Sequence, residues 1–420
     1  MKILKIIGKI LLCLVVIIVG WRIYRIYKPL ESIPVTKVIL NKAYPIIKID
    51  SLQFQPNSLV KTIKYVALET KNECLIGDVF KTLIYKENIY ILDAFQARCL
   101  FKFDINGKFI AKFNQIGEGP FEVTNIQDFS IDTLKNQIIV YNCDFQGKVL
   151  FLNINNLRPI KYKKISTVLD DLCPIGKGRY IGSPSVDSRN QYELQKFAYY
   201  VLDSNFNVVS KQCKHLYPNL YPGFVRTISK DDKMGTNFTT LFSNIVFQVM
   251  PQGALKLKYK IDFSKFLTPA KYMTDDTTFA KYRKKNRNTS GFYMAQFAEN
   301  SEVATFRYML YGQNIYEIFI QKKTGVIRHG FWAEDDYSMI LPFRGNGSYK
   351  NTFFSNCDAD IVYDRMQNKN FVNALSPTNR AMLSKVKIDD NPVLSFSEID
   401  FTTPDKYKGV EVKFNAIPKQ

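Results

Sequence analysis

Short runs of alternating apolar and polar residues cover most of the chain, and turn residues separate these runs. The runs Asn88–Asp93 and Leu100–Asp104 predict an antiparallel hairpin, because a period of two residues is typical of strands. The dipeptide Asn106-Gly107 follows and accepts the positive φ of a tight turn, after which Lys108–Phe113 resumes the alternation. This stretch therefore predicts a meander of consecutive antiparallel strands.

The same pattern returns along the chain at intervals of about fifty residues. Asp104, Asn153 and Asp203 occupy the same turn position in successive repeats. Two later hairpins turn at Pro251–Gly253 and Lys322–Gly325. A repeat of this length with about four short strands is typical of β-propeller blades, whereas solenoid repeats are mostly shorter or helical. Six such blades fit the 420 residues of the chain.

The two ends of the repeat region predict how the blades close into a ring. Residues 350–400 supply the sixth blade, with Pro392–Phe396 as its last strand. Val60–Leu68 supplies a ring-closing strand from the N-terminal side, and closure leaves no unpaired edge between the first and last blades. The predicted fold class is all-β: a six-bladed β-propeller with four-stranded antiparallel blades, preceded by an N-terminal transmembrane or signal helix.

Two features interrupt the strand pattern. The turns at Gly253 and Gly325 lie further apart than one repeat, which predicts an insertion between the fourth and fifth hairpins. Ser376 followed by Pro377 predicts the start of a short surface helix. The predicted divisions of the chain are a membrane anchor or signal segment at 1–30, a linker and lead-in strand at 31–58, the propeller at 59–402 and a C-terminal tail at 403–420.

Residues 1–30 combine basic residues with an apolar core. As a helix, the uncharged stretch Ile10–Trp21 would cover only about 18 Å, against about 30 Å for a bilayer core. Lys9 and Arg22 can snorkel, so the apolar residues outside them can extend the span. The small residues of a cleavage site are poorly represented, which favours an uncleaved anchor; a cleaved signal peptide and a buried cytosolic helix remain alternatives.

The chain is strongly basic, with a formal net charge of +20. Such a charge favours polyanions in general, including anionic lipid and acidic polysaccharide, although a solvated surface is its more frequent explanation. The seven cysteines lack the close spacing of a zinc or redox site. Unpaired buried thiols are therefore favoured over disulfides, which an exported chain could also form.

Several short motifs occur together in one order along the chain. They are Ala67-Leu68-Glu69-Thr70, Leu75-Ile76-Gly77, Ile89–Asp93, Phe103–Ile110, Gly117-Glu118-Gly119-Pro120, Leu257–Phe263 and Asn391-Pro392-Val393-Leu394. As a set they resemble the bacterial six-bladed β-propeller family, which is related to the NHL propellers and found as envelope proteins of gut bacteria. The resemblance implies a six-bladed fold and an exported location, and it supplies no catalytic residues. This chain lacks the lipoprotein cysteine of many members, which favours a protein anchor.

One segment inside the predicted insertion is densely cationic and contains an interleaved tyrosine. It could be a loop on a propeller face that binds acidic sugar or lipid headgroups, although a solvated loop is the more frequent explanation of such a segment. The candidate ligand-binding residues are Lys281, Tyr282, Arg283, Lys284, Lys285 and Arg287.

Catalytic and metal-binding signals are weak. His215 and His329 are the two histidines of the chain, and neither has partners at ligand spacing. Asp93, Asn142 and Asp144 could bind an axial ion, but turn residues that bond local backbone are the simpler interpretation. No cofactor and no catalytic residue is predicted.

Gly182-Ser183-Pro184-Ser185 has proline where a nucleophile turn would have to form, which argues against a serine hydrolase. Gly117–Pro120 is too short for a phosphate loop and is predicted as a turn between blades.

These observations favour a non-catalytic binding or scaffold propeller over an enzyme. It would be displayed in the cell envelope, anchored in the membrane through residues 1–30 and facing the periplasm or the exterior. Its partner would be an envelope protein or polysaccharide, of which an acidic one fits the charge; nucleic acid is not expected. The alternative is a metal-dependent hydrolase or lyase of the NHL-like type, with its site at the channel mouth.

Overall fold

The strands of the protein form six sheets. The computed structural model describes residues 9, 12–20, 33–39, 44–49, 60–142, 147–184, 196–215, 227–240, 243–262, 268–286, 291–310, 315–331, 347–402 and 410–413. Its strands are β1 (Ile46–Ile49), β2 (Val60–Ala67), β3 (Lys81–Tyr85), β4 (Asn88–Asp93), β5 (Cys99–Asp104), β6 (Phe109–Phe113), β7 (Asp128–Asp132), β8 (Gln137–Asn142), β9 (Lys148–Asn153), β10 (Pro159–Lys164), β11 (Leu169–Gly176), β12 (Arg179–Pro184), β13 (Phe197–Leu202), β14 (Val208–Lys214), β15 (Ile228–Lys230), β16 (Thr236–Thr239), β17 (Ile245–Val249), β18 (Leu255–Asp262), β19 (Gly291–Glu299), β20 (Val303–Leu310), β21 (Ile315–Gln321), β22 (Ile327–Phe331), β23 (Gly347–Tyr349), β24 (Thr352–Cys357), β25 (Val393–Ile399) and β26 (Val410–Lys413).

Each sheet is one blade of a six-bladed β-propeller, which confirms the all-β, six-bladed part of the predicted fold class. Four consecutive antiparallel strands make up the first blade (β3 to β6), the second (β7 to β10), the third (β11 to β14), the fourth (β15 to β18) and the fifth (β19 to β22). The sixth blade contains β23, β24, β25 and β2. The first strands of neighbouring blades contact one another, as β7 does β11 and β23 does β3, so these strands lie nearest the central axis.

The hydrophobic core is divided among the interfaces between neighbouring blades. The cluster between the first and second blades contains Tyr90, Leu100, Phe129 and Leu150, and similar clusters lie between the second and third, third and fourth, and sixth and first blades. Middle strands are consequently covered on both faces, and every residue of Ile89–Asp93 is buried. This explains why the middle strands are the most continuously apolar segments of the sequence.

The ring closes where β2, from the N-terminal side, pairs antiparallel with β25 of the last blade, as the sequence predicted. Next to this pair, the buried side chain of Asn391 donates to the carbonyl oxygens of Glu69 and Cys74, each at 2.8 Å. Its Oδ1 accepts from the amide of Ile76, also at 2.8 Å. One carboxamide therefore links the last blade to the segment that leads into the first.

Glu69 extends this linkage into the first blade. Its amide donates to the carbonyl oxygen of Gly107 at 2.8 Å, and its carboxylate accepts from the amide of Phe109 at 2.9 Å. Gly107 has a φ of 87°, and a Cβ at this position would collide with the carbonyl oxygen of Ala67, so the turn requires glycine. Four of the motifs that carry the family resemblance therefore meet at the ring closure.

The outer edge of the fourth blade is extended beyond its four strands. β1 pairs parallel with β18, and β26 pairs antiparallel with β1, which gives a sheet of six strands. Upstream of β1, Val35 bridges to Lys211 of the third blade and Ile39 to Lys256 of the fourth. The added strands come from outside the repeat, so the repeat period in the sequence contains no sign of them.

Within the described part of the propeller, the helices occupy two connections of the ring. They are a 3-10 helix (Ala270–Tyr272), α1 (Asp276–Lys285), α2 (Ala359–Met366), α3 (Lys369–Ala374) and α4 (Pro377–Leu383). The 3-10 helix and α1 lie in the predicted insertion between β18 and β19. Ser376 accepts from the amide of Asn379 at 3.2 Å, which confirms the predicted helix start, whereas α2 and α3 were not predicted.

The helix α4 covers the outer edge of β2. The side chain of Asn379 donates to the carbonyl oxygen of Ile63 at 2.8 Å and accepts from the amide of Tyr65 at 3.3 Å. These are the bonds that a further strand would make, so the closing strand is not left with an open edge there.

The predicted anchor or signal segment at 1–30 falls largely outside the described residues. Residues 12–20 are helical. Within the described part of the chain, no helix is both long and apolar enough to cross a membrane.

We expect Asn391→Asp to destabilise the ring by about 2 to 4 kcal/mol, because a carboxylate cannot donate to the carbonyl oxygens of Glu69 and Cys74 and would be repelled by them. Urea unfolding followed by circular dichroism measures the loss. Asn370→Asp, at an exposed position in the first turn of α3, is the matched control and should change the free energy of unfolding by less than about 0.5 kcal/mol. Equal stability of the two variants would contradict the role of Asn391.

Candidate functional site

The two faces of the propeller differ in the length of their connections. Strands within a blade alternate in direction, so the turns from first to second strand and from third to fourth all lie at one end. We call this end the short-turn face; its turns are residues 86–87, 105–108, 133–136, 154–158, 177–178, 203–207, 231–235, 250–254, 300–302, 322–326 and 350–351. The opposite end, the long-loop face, carries every longer connection, including 263–290 and 358–392. Long connections on a rigid scaffold are where binding sites usually lie.

The cationic segment lies on the long-loop face, and it forms a helix. The prediction of a loop was wrong for Lys281–Lys285, which are the last residues of α1. Asp275 caps α1 by accepting from the amide of Thr278 at 2.8 Å and from its hydroxyl at 2.7 Å. The sequence signal was this cap rather than an apolar period, because Phe279 is the single buried residue of α1.

The charged residues at the two ends of α1 stabilise the helix. Hydrogen bonds, of which the bond from the Thr278 amide is the largest cause, lower the pKa of Asp275 to about 2. The cap is thus an anion at the positive end of the helix dipole, while Arg283, Lys284 and Lys285 lie at the negative end. The charges at both ends therefore interact favourably with the helix dipole.

The predicted ligand-binding residues divide into two groups. Lys281, Lys284 and Lys285 are exposed, and their spacing places them on one side of α1. Among the described residues, none of these three lysines makes an ion pair. We call these three residues the α1 lysines.

The other predicted residues help to hold α1 in place. Tyr282 stacks on Tyr272 with ring centroids 4.3 Å apart, and the guanidinium of Arg283 lies 5.6 Å from the ring centroid of Phe279. Arg287 lies outside the described residues.

A second group of charged residues lies on the strands nearest the axis. Lys81 Nζ donates to Asp128 Oδ1 at 2.6 Å and to the carbonyl oxygen of Phe129 at 2.7 Å. The other oxygen of Asp128 accepts from the amide of Leu172 at 3.2 Å. This buried ion pair therefore joins the first, second and third blades.

Glu299 plays the same part on the other side of the ring. Its buried carboxylate contacts Lys258 of the fourth blade and Lys322 of the fifth, the latter at 3.2 Å, and accepts from the side chain of Asn237 at 3.0 Å. Its carbonyl oxygen accepts from the hydroxyl of Ser348 in the sixth blade. Asp128 and Glu299 therefore each bond to neighbouring blades.

The residues proposed for an axial ion make similar local bonds. Asp93 is fully buried and accepts from four backbone amides: those of Gly77 and Asp78 at 2.7 and 2.9 Å, and those of Phe95 and Gln96 at 3.2 and 2.9 Å. Such bonds to local backbone amides are typical of a turn residue with a structural role.

Asn142 donates to the hydroxyl of Thr124 at 2.8 Å, and Asp144 lies outside the described residues. Within the described ranges, no group of three or more histidine, cysteine, aspartate or glutamate side chains could hold a metal ion.

Burial shifts the pKa of one histidine and of several cysteines of the propeller. Burial lowers the pKa of His215, and His329 lies on β22. None of the propeller cysteines that the structure describes forms a disulfide, as the sequence favoured, and Cys143 lies outside the described residues. Burial raises the pKa of Cys99 and of Cys213 to about 12, so both thiols stay protonated and are poor nucleophiles at neutral pH.

Sequence reasoning missed the structural use of lysine. Lys102 of the first blade donates to the carbonyl oxygens of Ile154 and Asn155 in the second, at 3.0 and 3.1 Å. Lys163 of the second blade donates to the carbonyl oxygen of Ser204 in the third at 2.7 Å. Part of the positive charge therefore joins neighbouring blades. The positions of lysines in a single sequence do not show which of them have this role.

Fold and site together define a six-bladed β-propeller whose axial charges are engaged between blades and whose long connections share one face. The chain belongs to the family described as Domain of unknown function (DUF4934), whose model matches residues 43–398. No curated protein sequence matches the chain.

Among solved structures, the chain is similar to a "putative exported protein" from Bacteroides fragilis NCTC 9343, with a TM-score of 0.70 and 17% identity over 84% of this chain and 99% of that chain. BamB from Moraxella catarrhalis is more distant, with a TM-score of 0.37 and 7% identity over 72% of this chain and 73% of that chain. The first likeness supports the propeller fold.

We expect Asp275→Ala to loosen the first turn of α1, because the Thr278 amide would lose its acceptor. Hydrogen exchange of the amides of residues 276–279 should accelerate by about fivefold, corresponding to about 1 kcal/mol. Asp275→Ser, which retains an acceptor oxygen, should stay close to the parent chain. In the parent chain the charged cap should persist as the pH falls from 7 until about pH 2, since the pKa of Asp275 lies there. Unchanged exchange in Asp275→Ala would contradict the capping role.

We expect Glu299→Gln to lower the free energy of unfolding by about 3 kcal/mol, because Lys258 and Lys322 would lose their shared counter-charge inside the ring. Thermal or urea unfolding measures the change. Glu302→Gln, an exposed glutamate in the same turn, is the control and should be neutral within about 0.5 kcal/mol. A neutral Glu299→Gln would show that the buried carboxylate does not hold these blades together.

Proposed function

We propose that the protein is a non-catalytic binding or scaffold propeller displayed in the cell envelope, and that its long-loop face binds an acidic envelope polysaccharide or protein. The observation that carries the proposal is the contrast between two sets of cations. Lys81 and Lys258 are paired with carboxylates between blades, whereas the α1 lysines project from a connection of the long-loop face without such partners among the described residues.

The α1 lysines suit an acidic ligand for two reasons. Their helix is already ordered by its cap and by the buried ring of Phe279, so binding would cost little ordering of the backbone. Their ammonium groups are exposed, so an incoming anion would not have to displace an existing carboxylate.

The envelope location is part of the proposal. It is supported by the name of the Bacteroides fragilis protein, a "putative exported protein", and by the family resemblance of the motifs. We further propose that residues 1–30 anchor the chain in the membrane, with the propeller facing the periplasm or the exterior, because the flanking lysine and arginine can snorkel around the apolar core.

A glycan array and a pull-down from envelope extract, both with the purified full chain, test the proposal. We expect binding to acidic glycans or to an envelope protein, and the variant with Lys281→Gln, Lys284→Gln and Lys285→Gln should bind about tenfold more weakly. The matched control carries Lys177→Gln, Lys233→Gln and Lys323→Gln, which removes the same charge from exposed positions of the short-turn face. It should bind like the parent chain.

Two outcomes would overturn the proposal. One is the absence of any envelope-derived ligand for the parent chain. The other is stoichiometric calcium or zinc in the purified protein together with metal-dependent hydrolysis, which would support the NHL-like hydrolase or lyase instead.

A further inference from the structure

Two exposed aromatic rings form a corner at the rim of the second blade, on the long-loop face. Phe121 lies in the connection between β6 and β7, and Tyr162 lies on the outer strand β10. Their ring centroids are 6.0 Å apart and their planes are 89° to each other. Both side chains remain accessible, with Phe121 44% and Tyr162 40% exposed. We call this pair the aromatic corner.

The loop that presents Phe121 is held in one conformation by hydrogen bonds. Glu122 accepts from the amide of Gly119 at 2.9 Å, and the amide of Gly117 donates to the carbonyl oxygen of Val123 at 3.0 Å. Lys148 of β9 donates to the carbonyl oxygens of Gly119 and Glu122, each at 2.7 Å. A Cβ at Gly117 would collide with the carboxylate of Glu122, which would then have to move away from the amide of Gly119. The aromatic corner is therefore preorganised.

The neighbouring charges favour an anion. Lys164 stands directly opposite Lys148 in the β10–β9 register, so two like charges share one face of the sheet with Tyr162. Like charges at opposed positions repel each other. Lys148 Nζ is held by carbonyl oxygens and lies 5.8 Å from the ring centroid of Tyr162, while Lys164 is exposed. Among the described residues, no carboxylate pairs with either lysine.

We propose that the aromatic corner, with Lys164 and Lys148, is a subsite for an acidic pyranose such as a hexuronate residue of a polysaccharide. The C–H groups of a pyranose ring carry partial positive charge and pack on the electron-rich face of an aromatic ring. A ring carboxylate within reach of Lys164 would relieve the repulsion between the two lysines. The inference rests on the proposed function and names the ligand class and a place on the long-loop face separate from α1.

A saccharide fits these observations better than an extended acidic peptide. A peptide would be expected to add a strand to the free edge of β10, where side chains on both faces would contribute. On the opposite face of β10, however, Lys163 is engaged with Ser204 of the third blade, and Lys161 lies over the ring of Phe151 at 4.7 Å. The free groups are therefore concentrated on the face with the aromatic corner.

Isothermal titration of the purified full chain with a tetragalacturonate, and with maltotetraose as neutral probe, tests the subsite. The parent chain should bind tetragalacturonate more tightly than maltotetraose. The double variant Phe121→Ala, Tyr162→Ala should lose about tenfold or more in affinity for tetragalacturonate. Lys164→Gln should weaken tetragalacturonate binding and its salt dependence without changing maltotetraose binding.

Matched controls separate this subsite from general effects. Phe95→Ala removes another exposed phenylalanine, which packs against Phe80 at 5.2 Å, and should leave binding unchanged. Because Phe121 and Tyr162 are exposed, thermal unfolding of their variants should match the parent chain, and Tyr162→Gln provides a second variant with a polar side chain.

Three results would overturn the subsite. The first is a tetragalacturonate affinity that is unchanged in the Phe121→Ala, Tyr162→Ala variant but reduced in the Lys281→Gln, Lys284→Gln, Lys285→Gln variant. This result would contradict the subsite and leave the proposed function in place. Binding of an envelope protein but no saccharide would also do so and leave the proposed function. The absence of every envelope ligand would overturn both.

Discussion

Backbone hydrogen bonding between the N-terminal strand β2 and the last blade is the interaction on which the rest of the structure depends. A propeller buries its core between blades, so each blade is stable only when it has neighbours on both sides. The pairing of β2 with β25, supported by Asn391 and Glu69, makes the first blade a neighbour of the last. Four of the sequence motifs named above contribute residues to this closure.

The charge of the protein has a structural meaning as well as a functional one. Lysine donates to carbonyl oxygens, which every turn offers, so it can join two blades without a carboxylate partner. Lys102 and Lys163 do this across successive blade interfaces, and Lys148 of β9 bonds in the same way to the loop that carries Phe121. A net charge of +20 is therefore partly a consequence of how the blades are joined. Other cations stay exposed, and the α1 lysines and Lys164 are among them.

Much of the fold could be predicted because a propeller repeats its sequence pattern. Asp104 and Asp203 each accept from the amides two and four residues later, so equal turn chemistry appeared at equal spacing. The strand β1 could not be predicted in its place, because its partner β18 lies far along the chain and outside its own repeat.

The candidate site was less accessible from the sequence. The cationic residues were identified, but α1 was missed because its helical signal is the cap at Asp275 rather than an apolar period. The corner between Phe121 and Tyr162 forms because the connection into the second blade lies against the outer strand of that blade, and no local sequence pattern contains this contact.

The parallel pairing of β1 with β18 has a mechanical consequence. A force applied to the chain before Val35 would reach β2 only after passing along the bridges at Val35 and Ile39 and along the length of β1. Hydrogen bonds between strands that are pulled along their axes are loaded together, in shear, rather than one after another. The fourth blade would thus bear the load before it reached the pairing of β2 with β25.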